Sequence, residues 1–169
     1  MNWVVRNIHH RSLHASPAQV ASLLDGLASR DDRLWPHESW PRMRFDRPLQ
    51  PGAVGGHGPI RYTVEAHQPG QSVVFKFTGP SGFHGNHRFD VLAQGSGTLL
   101  RHNLEMRATG AALVTWPMVF RPLHDALVED ALSKAQAQLG EQPLAVPWSP
   151  WVRFLRKVLA PTQRQRFAP

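Results

Sequence analysis

The 169-residue chain contains no cysteine. This absence excludes disulfide bonds, thiolate metal sites and cysteine nucleophiles. The chain also lacks an apolar run of about 18 residues, the length that a membrane-spanning helix needs. Its first residues, MNWVVRNIHHRS, have no apolar core of the signal-peptide kind, so we expect no leader and a cytoplasmic location. The length suffices for one domain with its own core.

Acidic residues are missing from the last part of the chain. Residues 148–169 contain five of the 19 Lys and Arg side chains and none of the 12 Asp and Glu side chains, in a chain with a formal net charge of +7. The body is therefore nearly neutral and the tail is basic. Because the body has no basic stripe interleaved with aromatic residues, we expect no nucleic-acid partner.

Strand patterns dominate the first two thirds of the chain. Residues 3–13 are expected to form a first strand, and a short alternation at 43–46 predicts another. Longer alternations of apolar and polar residues predict strands over 60–67 and 72–78. The glycine- and proline-rich segment 48–58 predicts a loop.

Two further strands, over 83–94 and 97–107, are expected to form a hairpin with a turn at Gly95-Ser96. Pairing Gln94 with Gly97 sets a register in which both strands bury consistent faces, and this consistency supports the register. The register pairs Ala93 with Thr98, Val91 with Leu100, Phe89 with His102, His87 with Leu104, and Asp90 with Arg101.

Helical patterns occur near both ends of the chain. Ser16-Pro17 predicts a capped helix start, followed by a short apolar face at Val20, Leu23, Leu24 and Leu27. Residues 31–37 are expected to form a second short helix or a turn.

The longest helical pattern runs from 111 to 139. Leu113, Trp116, Phe120, Leu123, Leu127 and Ala131 recur at spacings of three and four, which predicts one buried stripe. Pro117 and Pro122 predict a start near Trp116 or a kink. The acidic group Asp125, Glu129 and Asp130 is expected on the solvated side of the helix. The fold class is therefore α+β, with an antiparallel sheet curved around this helix.

This order of elements resembles the START/Bet v 1-like (SRPBCC) superfamily, in particular its bacterial polyketide cyclase/dehydrase and lipid-transport-like group. The resemblance covers residues 1–140. It is carried by Ser16-Pro17, the Leu49/Gly52 loop, Gly97-Thr98 and the long last helix, and by the stretches GHGPIRYTVE, FTGPSGFHGNHRF and WPMVFRPLHDALVEDAL. Residues 141–169 lie outside it and are interpreted as a basic amphipathic extension.

The resemblance implies a helix-grip fold, with six or seven strands around a long C-terminal helix and two short helices after the first strand. It also implies a cavity between sheet and helix for hydrophobic or amphipathic small molecules. No single catalytic motif unites this family, so the resemblance implies no catalytic residue and no cofactor.

In the predicted register, His87 and His102 lie on the inward face of the hairpin, Tyr62 lies inward on another strand, and His124 lies at the cavity edge. These side chains could orient a ligand or act as acid–base groups, or they could be core residues bonded to backbone or water. The expected ligand-binding residues are Tyr62, Val64, Phe75, Phe77, His87, Phe89, Val91, Leu100, His102, Leu104, Phe120, Leu123, His124 and Leu127.

Other groups of residues give weaker signals. The chain has no HExxH spacing, so no metal site is expected. Gly55-Gly56-His57-Gly58 lacks the lysine and the following helix of a phosphate loop. His9, His10 and His14 are interpreted as a solvated strand and its end. Trp35, Glu38 and Trp40 could guard a cavity mouth or pack the short helices on the sheet.

Residues 148–159 form a basic amphipathic segment in which Trp151, Phe154, Leu155, Val158 and Leu159 share a helical face. This pattern suits an interfacial membrane helix, or a helix that docks on its own domain or on a second copy. Three functions therefore remain open: a binding protein for a lipid- or polyketide-like molecule, which is favoured; a cyclase/dehydratase-type enzyme that uses cavity histidines; and a peripheral membrane or interaction module.

Overall fold

The structure, a computed structural model, describes residues 2–164, and the side chains of residues 2–159. One seven-stranded sheet has the order β1-β7-β6-β5-β4-β3-β2, and all neighbouring strands are antiparallel. The strands are β1 (Asn2–Leu13), β2 (Arg44–Phe45), β3 (Val54–His57), β4 (Ile60–Gln68), β5 (Ser72–Gly79), β6 (Phe83–Gln94) and β7 (Gly97–Thr109).

The long helix is one nearly continuous element with an internal π turn. It comprises α2 (Ala112–Thr115), a π-helical segment (Trp116–Phe120) and α3 (Arg121–Gln138). In the π segment the N–H of Arg121 donates to the carbonyl of Trp116, five residues back. The interruption that the two prolines predict is therefore a local change of helix type. Two shorter helices are α1 (Pro17–Asp25) and α4 (Pro150–Arg164), and none of the described helices is long and apolar enough to cross a membrane.

The start of α1 confirms the predicted cap. The N–H of Gln19 donates to the Ser16 hydroxyl, and the N–H of Ser16 donates to the Gln19 side chain at 3.0 Å. This reciprocal arrangement satisfies N–H groups that the first helical turn leaves without partners. The buried face of α1 consists of Val20, Leu23 and Leu24, as predicted.

The predicted register of the β6–β7 hairpin is confirmed in every pair, including His102 opposite Phe89 and Arg101 opposite Asp90. The Arg101 guanidinium donates to the Asp90 carboxylate at 3.0 Å. Strand β1 pairs with β7 along its whole length, so the chain's first strand lies beside its last. The long helix covers the apolar face of the sheet and buries Trp116 and Leu127.

One expectation about local structure left two alternatives open, and another is wrong. Residues 31–37, expected as a second short helix or a turn, form turns and bends, so one short helix rather than two follows the first strand. The segment 48–58 is not entirely loop, because it contains β3, which pairs with β2 and β4. Glycine is required at Gly55, since a Cβ there would lie 2.1 Å from the carbonyl oxygen of Arg44 on β2. The glycines of this segment have no side chains, so they conceal the alternation of apolar and polar residues by which a strand is recognised in a sequence.

Candidate functional site

A cavity of about 280 Å³ lies between the sheet and the long helix. Its lining is mostly apolar and aromatic, with Phe77 and Leu104 from the sheet and Phe120 and Leu127 from the helix. Leu159 of α4 also reaches the cavity. The cavity therefore lies between the three layers of sheet, long helix and C-terminal helix.

The structure places the predicted ligand-binding residues in two groups. Those that line the cavity are Phe77, His87, His102, Leu104, Phe120, Leu123, His124 and Leu127. Those that lie in the packed core beside it are Tyr62, Val64, Phe75, Phe89, Val91 and Leu100. Strand alternation alone had predicted that the second group also lines the cavity. Alternation shows which residues face inward, but it does not show which of them face a void.

Several cavity-lining residues were missing from the sequence-based prediction. His57 belongs to the strand hidden by glycines, and Phe83 and Trp116 extend the aromatic wall. Trp35 and Trp40, which were expected either to guard the mouth or to pack the short helices on the sheet, are both buried and both line the cavity.

His87 and His102 form the polar centre of this wall. The Nδ1 atom of His87 lies 3.2 Å from the Nε2 atom of His102. The remaining ring nitrogens, Nε2 of His87 and Nδ1 of His102, are buried and have no hydrogen-bond partner in the protein. A buried polar atom without a partner is costly, and such atoms concentrate where a ligand completes the hydrogen bonds.

Burial keeps these histidines neutral. Loss of hydration lowers the pKa of His87 and of His102 well below the ordinary value, and the neighbouring imidazoles lower it further. A neutral imidazole carries one N–H and one lone pair. If His87 donates in the shared bond, its other nitrogen accepts and His102 keeps a free N–H; if His102 donates, the roles exchange. In both cases the pair offers one free donor and one free acceptor.

A second pair lies at the β3–β4 side of the cavity. The Nδ1 atom of His57 lies 3.0 Å from the hydroxyl of Tyr62. Burial lowers the pKa of His57 to about 3 and raises the pKa of Tyr62 well above its ordinary value, so both groups are uncharged near neutral pH. Tyr62 therefore supports the wall by fixing His57, rather than lining the cavity itself.

The acidic side of the long helix packs against β1, which corrects the expectation that Asp125 and Glu129 are solvated. Both carboxylates contact His9 of β1, at 3.1 Å and 2.7 Å from its two ring nitrogens. Burial lowers the pKa of His9, but hydrogen bonds to these carboxylates outweigh burial and raise it above the ordinary value. Asn7 donates to Asp125 at 2.9 Å, and Arg11 donates to Glu129 at 2.7 Å. We call these five residues the His9 cluster.

Asp130, the third acidic residue of this helix, also forms hydrogen bonds within the protein. It accepts hydrogen bonds from the indoles of Trp40 and Trp148 at 2.7 Å and 2.9 Å. The guanidinium of Arg156 on α4 lies 4.2 Å from the ring centroid of each of these tryptophans. Cation–π contacts of this kind hold α4 against the body of the protein.

A further contact connects α4 with the π segment. The indole N–H of Trp151 donates to the carbonyl of Met118 at 2.7 Å. Pro122, four residues after Met118, has no N–H with which to form the α-helical bond to this carbonyl. With Val152 and Leu155 buried, α4 is docked on its own chain, one of the arrangements that the sequence left open.

The chain is similar to known proteins in its fold rather than in its sequence. No protein-family model matches the chain, and no curated protein is matched. CalU16 from Micromonospora echinospora is similar over 98% of this chain and 96% of its own, at 14% identity and a TM-score of 0.54. Norcoclaurine synthase from Thalictrum flavum, in complex with dopamine and hydroxybenzaldehyde, is similar over 83% of this chain and 90% of its own, at 13% identity and a TM-score of 0.60.

A third similar structure is the di-domain ARO/CYC StfQ from the steffimycin biosynthetic pathway. It matches over 79% of this chain and 50% of its own length, at 12% identity and a TM-score of 0.57. These likenesses, with an antiparallel sheet whose apolar face is covered by a long helix, show that this chain has the helix-grip fold.

Proposed function

We propose that this protein binds a hydrophobic or amphipathic small molecule, lipid- or polyketide-like, in the cavity between the sheet and the long helix. The observation that carries the proposal is an apolar cavity with the His87–His102 pair in its wall. An apolar wall with a few polar groups is the usual composition of a small-molecule site. The proposal includes the cytoplasmic location expected from the sequence.

The size of the cavity limits the ligand. At about 280 Å³ it lies just below the usual range for small-molecule pockets, roughly 300–1,000 Å³. A compound of a few fused rings or one acyl chain suits this volume, whereas a two-chain phospholipid would not be enclosed.

The neutral histidines limit the chemistry of the ligand. They supply no positive charge to pair with a carboxylate or phosphate, and burying an unpaired charge is very costly. A hydroxyl or ketone oxygen instead matches the free donor and acceptor of the His87–His102 pair. The expected ligand is therefore uncharged where it meets these residues, and carries oxygen there.

Similar structures support this class of ligand. Norcoclaurine synthase is seen with dopamine and hydroxybenzaldehyde, both small oxygenated aromatic molecules, and StfQ is an ARO/CYC protein of a biosynthetic pathway. They share the fold at low identity, so the ligand class assigned to this chain rests on its own cavity.

Filling the cavity provides a test. Native mass spectrometry of the purified protein would look for a co-purified small molecule, and a titration would measure the affinity for naphthol as a probe. Leu159→Trp inserts a larger side chain at the cavity wall and should weaken binding. Val158→Trp changes the exposed neighbouring residue and should leave binding unchanged. No binding of any apolar probe by the wild type, or equal effects of the two variants, would reject the proposal.

An enzyme of the cyclase or dehydratase kind is a second candidate. The His87–His102 pair favours it, because a neutral histidine can take a proton from one ligand atom and return it to another. Turnover of a polyketide-like ketone by the wild type, lost in His87→Phe and His102→Phe, would support it. Binding without turnover would leave a carrier or binding protein.

Contact with a membrane surface is a further candidate, favoured by the outer face of α4. Trp151 and Phe154 stack on each other with ring centroids 5.3 Å apart, and they remain exposed together with Val158. Arg153 and Lys157 are also exposed. An exposed face that combines apolar and basic side chains suits the interface of an anionic bilayer. Leu159 of this helix reaches the cavity, so such contact would place the cavity near the lipid.

A further inference from the structure

Residues from two distant parts of the chain meet at the edge of the cavity. His9 on β1 and His124 and Asp125 on α3 each offer one ligand atom, and these three atoms lie within 4.8 Å of one another. His124 also lines the cavity. The sequence lacks HExxH spacing and therefore predicts no metal site. It does not reveal this group, because His9 and His124 come together only when β1 pairs with β7 under the helix.

We propose that His9, His124 and Asp125 form a binding site for one divalent transition-metal ion, with Zn²⁺ as the best fit. The Nε2 atom of His9 lies 3.1 Å, and the Nδ1 atom of His124 lies 3.6 Å, from Oδ1 of Asp125. Zinc–ligand distances of about 2.0–2.2 Å in a tetrahedral site place neighbouring ligand atoms roughly 3.3–3.6 Å apart. These two separations are close to those around a coordinated ion.

His124 gives an independent indication of a ligand. Both of its ring nitrogens are buried without a hydrogen-bond partner. Asp125, the adjacent residue, lies beyond hydrogen-bond distance of Nδ1 at 3.6 Å. A neutral imidazole carries one lone pair, on either nitrogen according to its tautomer. Because neither nitrogen of His124 has a hydrogen-bond partner, that lone pair is free for a metal ion.

The surroundings of the three residues match those of known metal sites. Metal-binding histidines commonly hold a carboxylate on the second ring nitrogen, which fixes the ring and its tautomer. Glu129 lies 2.7 Å from Nδ1 of His9, and Arg11 compensates the charge of Glu129 through its other oxygen at 2.7 Å. Asn7 orients Asp125. Asp125 is paired through its other oxygen, Oδ2, with the guanidinium of Arg121 at 3.7 Å, so each of the two carboxylates has a cationic partner.

The donor set selects the class of metal. Two imidazoles and one carboxylate suit zinc and its neighbours in the first transition row, whereas Mg²⁺ and Ca²⁺ prefer sites made of oxygen atoms. An ion at this position would be a Lewis acid beside the cavity, on the side where His124 forms the wall. The proposal concerns binding and stands whether or not the protein has catalytic activity.

The test uses the whole 169-residue chain, freed of metal by chelation and titrated with Zn²⁺ in a calorimeter. We expect one ion per chain, and loss of this site in His124→Gln and Asp125→Asn. Glu129→Gln should weaken binding by roughly 10–100-fold, as for other changes around a metal ligand. His10→Ala is the matched control, because His10 is the next residue on β1 and is exposed on its other face.

Each outcome decides for or against the site. Unchanged zinc binding in His124→Gln and Asp125→Asn, or no binding by the wild type, would overturn the proposal and leave His9 as a hydrogen-bond bridge between two carboxylates. If these variants do not fold, anomalous diffraction from zinc-soaked wild-type crystals gives the answer. A peak between His9, His124 and Asp125 supports the site, whereas a peak elsewhere or none rejects it.

Discussion

His87 and His102 are diagonal neighbours on β6 and β7, with the Nδ1 atom of the first 3.2 Å from the Nε2 atom of the second. The strand register brings them together, since His87 is opposite Leu104 and His102 is two residues away on the same face. Phe89, which is opposite His102, packs its ring against it at a centroid distance of 4.6 Å. Packing thus holds the two neutral rings in their hydrogen bond. The free donor and the free acceptor on their other nitrogens therefore have fixed positions.

Removing either ring from this pair should separate orientation from apolar binding. His87→Phe and His102→Phe keep bulk but remove the nitrogens, so the affinity for naphthol should fall by about 1–3 kcal/mol per lost buried hydrogen bond, roughly 5–150-fold. Naphthalene, which has no oxygen, should bind nearly as well as to the wild type. Both affinities would be measured by titration calorimetry or by dye displacement.

A histidine on the same strand provides the control. His84→Phe alters an exposed residue of β6 outside the cavity and should change neither affinity. Equal losses for naphthol and naphthalene in the cavity variants would mean that the two histidines only shape the pocket.

Acid should destabilise the protein through its buried histidines. Burial lowers the pKa of His57 from 6.5 to about 3, so the folded protein binds fewer protons than the unfolded chain below pH 6.5. The stability contributed by the neutral ring is therefore complete above pH 6.5 and is lost as the pH falls towards 3. By pH 5, His57 alone should cost about 2 kcal/mol of unfolding free energy.

Urea unfolding of the wild type and of His57→Phe at pH 7 and pH 5 tests this. The variant loses the contact with Tyr62 and should be less stable at pH 7, but its stability should fall less between the two pH values. His84→Phe should lose as much unfolding free energy between pH 7 and pH 5 as the wild type. The same loss in His57→Phe would show that the His57 ring is not held neutral.

Periodicity and turn chemistry predict much of this fold. The β6–β7 register follows from a period of two and a turn at Gly95-Ser96, because a slip by one residue would turn every apolar side chain outward. The start of α1 follows from Ser16 and Pro17. Both are local signals that the sequence displays directly.

The site was harder to predict, because its missing members depend on distant contacts. His57 lies on a strand whose glycines approach the neighbouring strands too closely for side chains, Gly55 beside Arg44 of β2 and Gly56 beside Ile60 of β4. The acidic side of α3 was assigned to solvent because the periodicity of a helix does not show which strand faces it. His9 and Arg11, on one face of β1, become its partners only through the pairing of β1 with β7. An alternating His-x-Arg pair opposite an Asp-x-x-x-Glu pair was the signal available.

The docking of α4 gives a stability prediction. Arg156→Met keeps much of the side-chain stem but removes the guanidinium, which stacks on Trp40 and Trp148 and donates to the carbonyl of Ser39. Because cation–π contacts contribute about 0.5–2 kcal/mol and a hydrogen bond about 0.5–1.5 kcal/mol, the unfolding free energy should fall by roughly 1–3.5 kcal/mol. Arg153→Met, on the exposed side of the same helix, should change it by less than about 0.5 kcal/mol. Similar losses in the two variants would show that Arg156 stabilises α4 only through general charge or propensity.

The exposed face of α4 gives the last prediction, which concerns lipid. Each accessible Lys or Arg contributes about 1 kcal/mol at an anionic bilayer, so the double variant Arg153→Gln/Lys157→Gln should bind anionic vesicles roughly 30-fold more weakly. Phe154→Ser should weaken binding to the same vesicles by removing an aromatic side chain that enters the interface. Vesicle co-sedimentation at low and high salt would measure both effects, and the first should shrink at high salt because the attraction is screened.

The matched control for this experiment is Arg30→Gln/Arg107→Gln, which removes the same charge from exposed positions in the turn after α1 and on β7. If α4 meets the bilayer, this control keeps most of the wild-type affinity, because charges that stay a Debye length or more from the surface contribute little. If control and test variants lose affinity equally, the attraction is that of net charge alone. If the wild type does not bind anionic vesicles at all, α4 serves to close the cavity, and its exposed aromatic residues have no role in lipid binding.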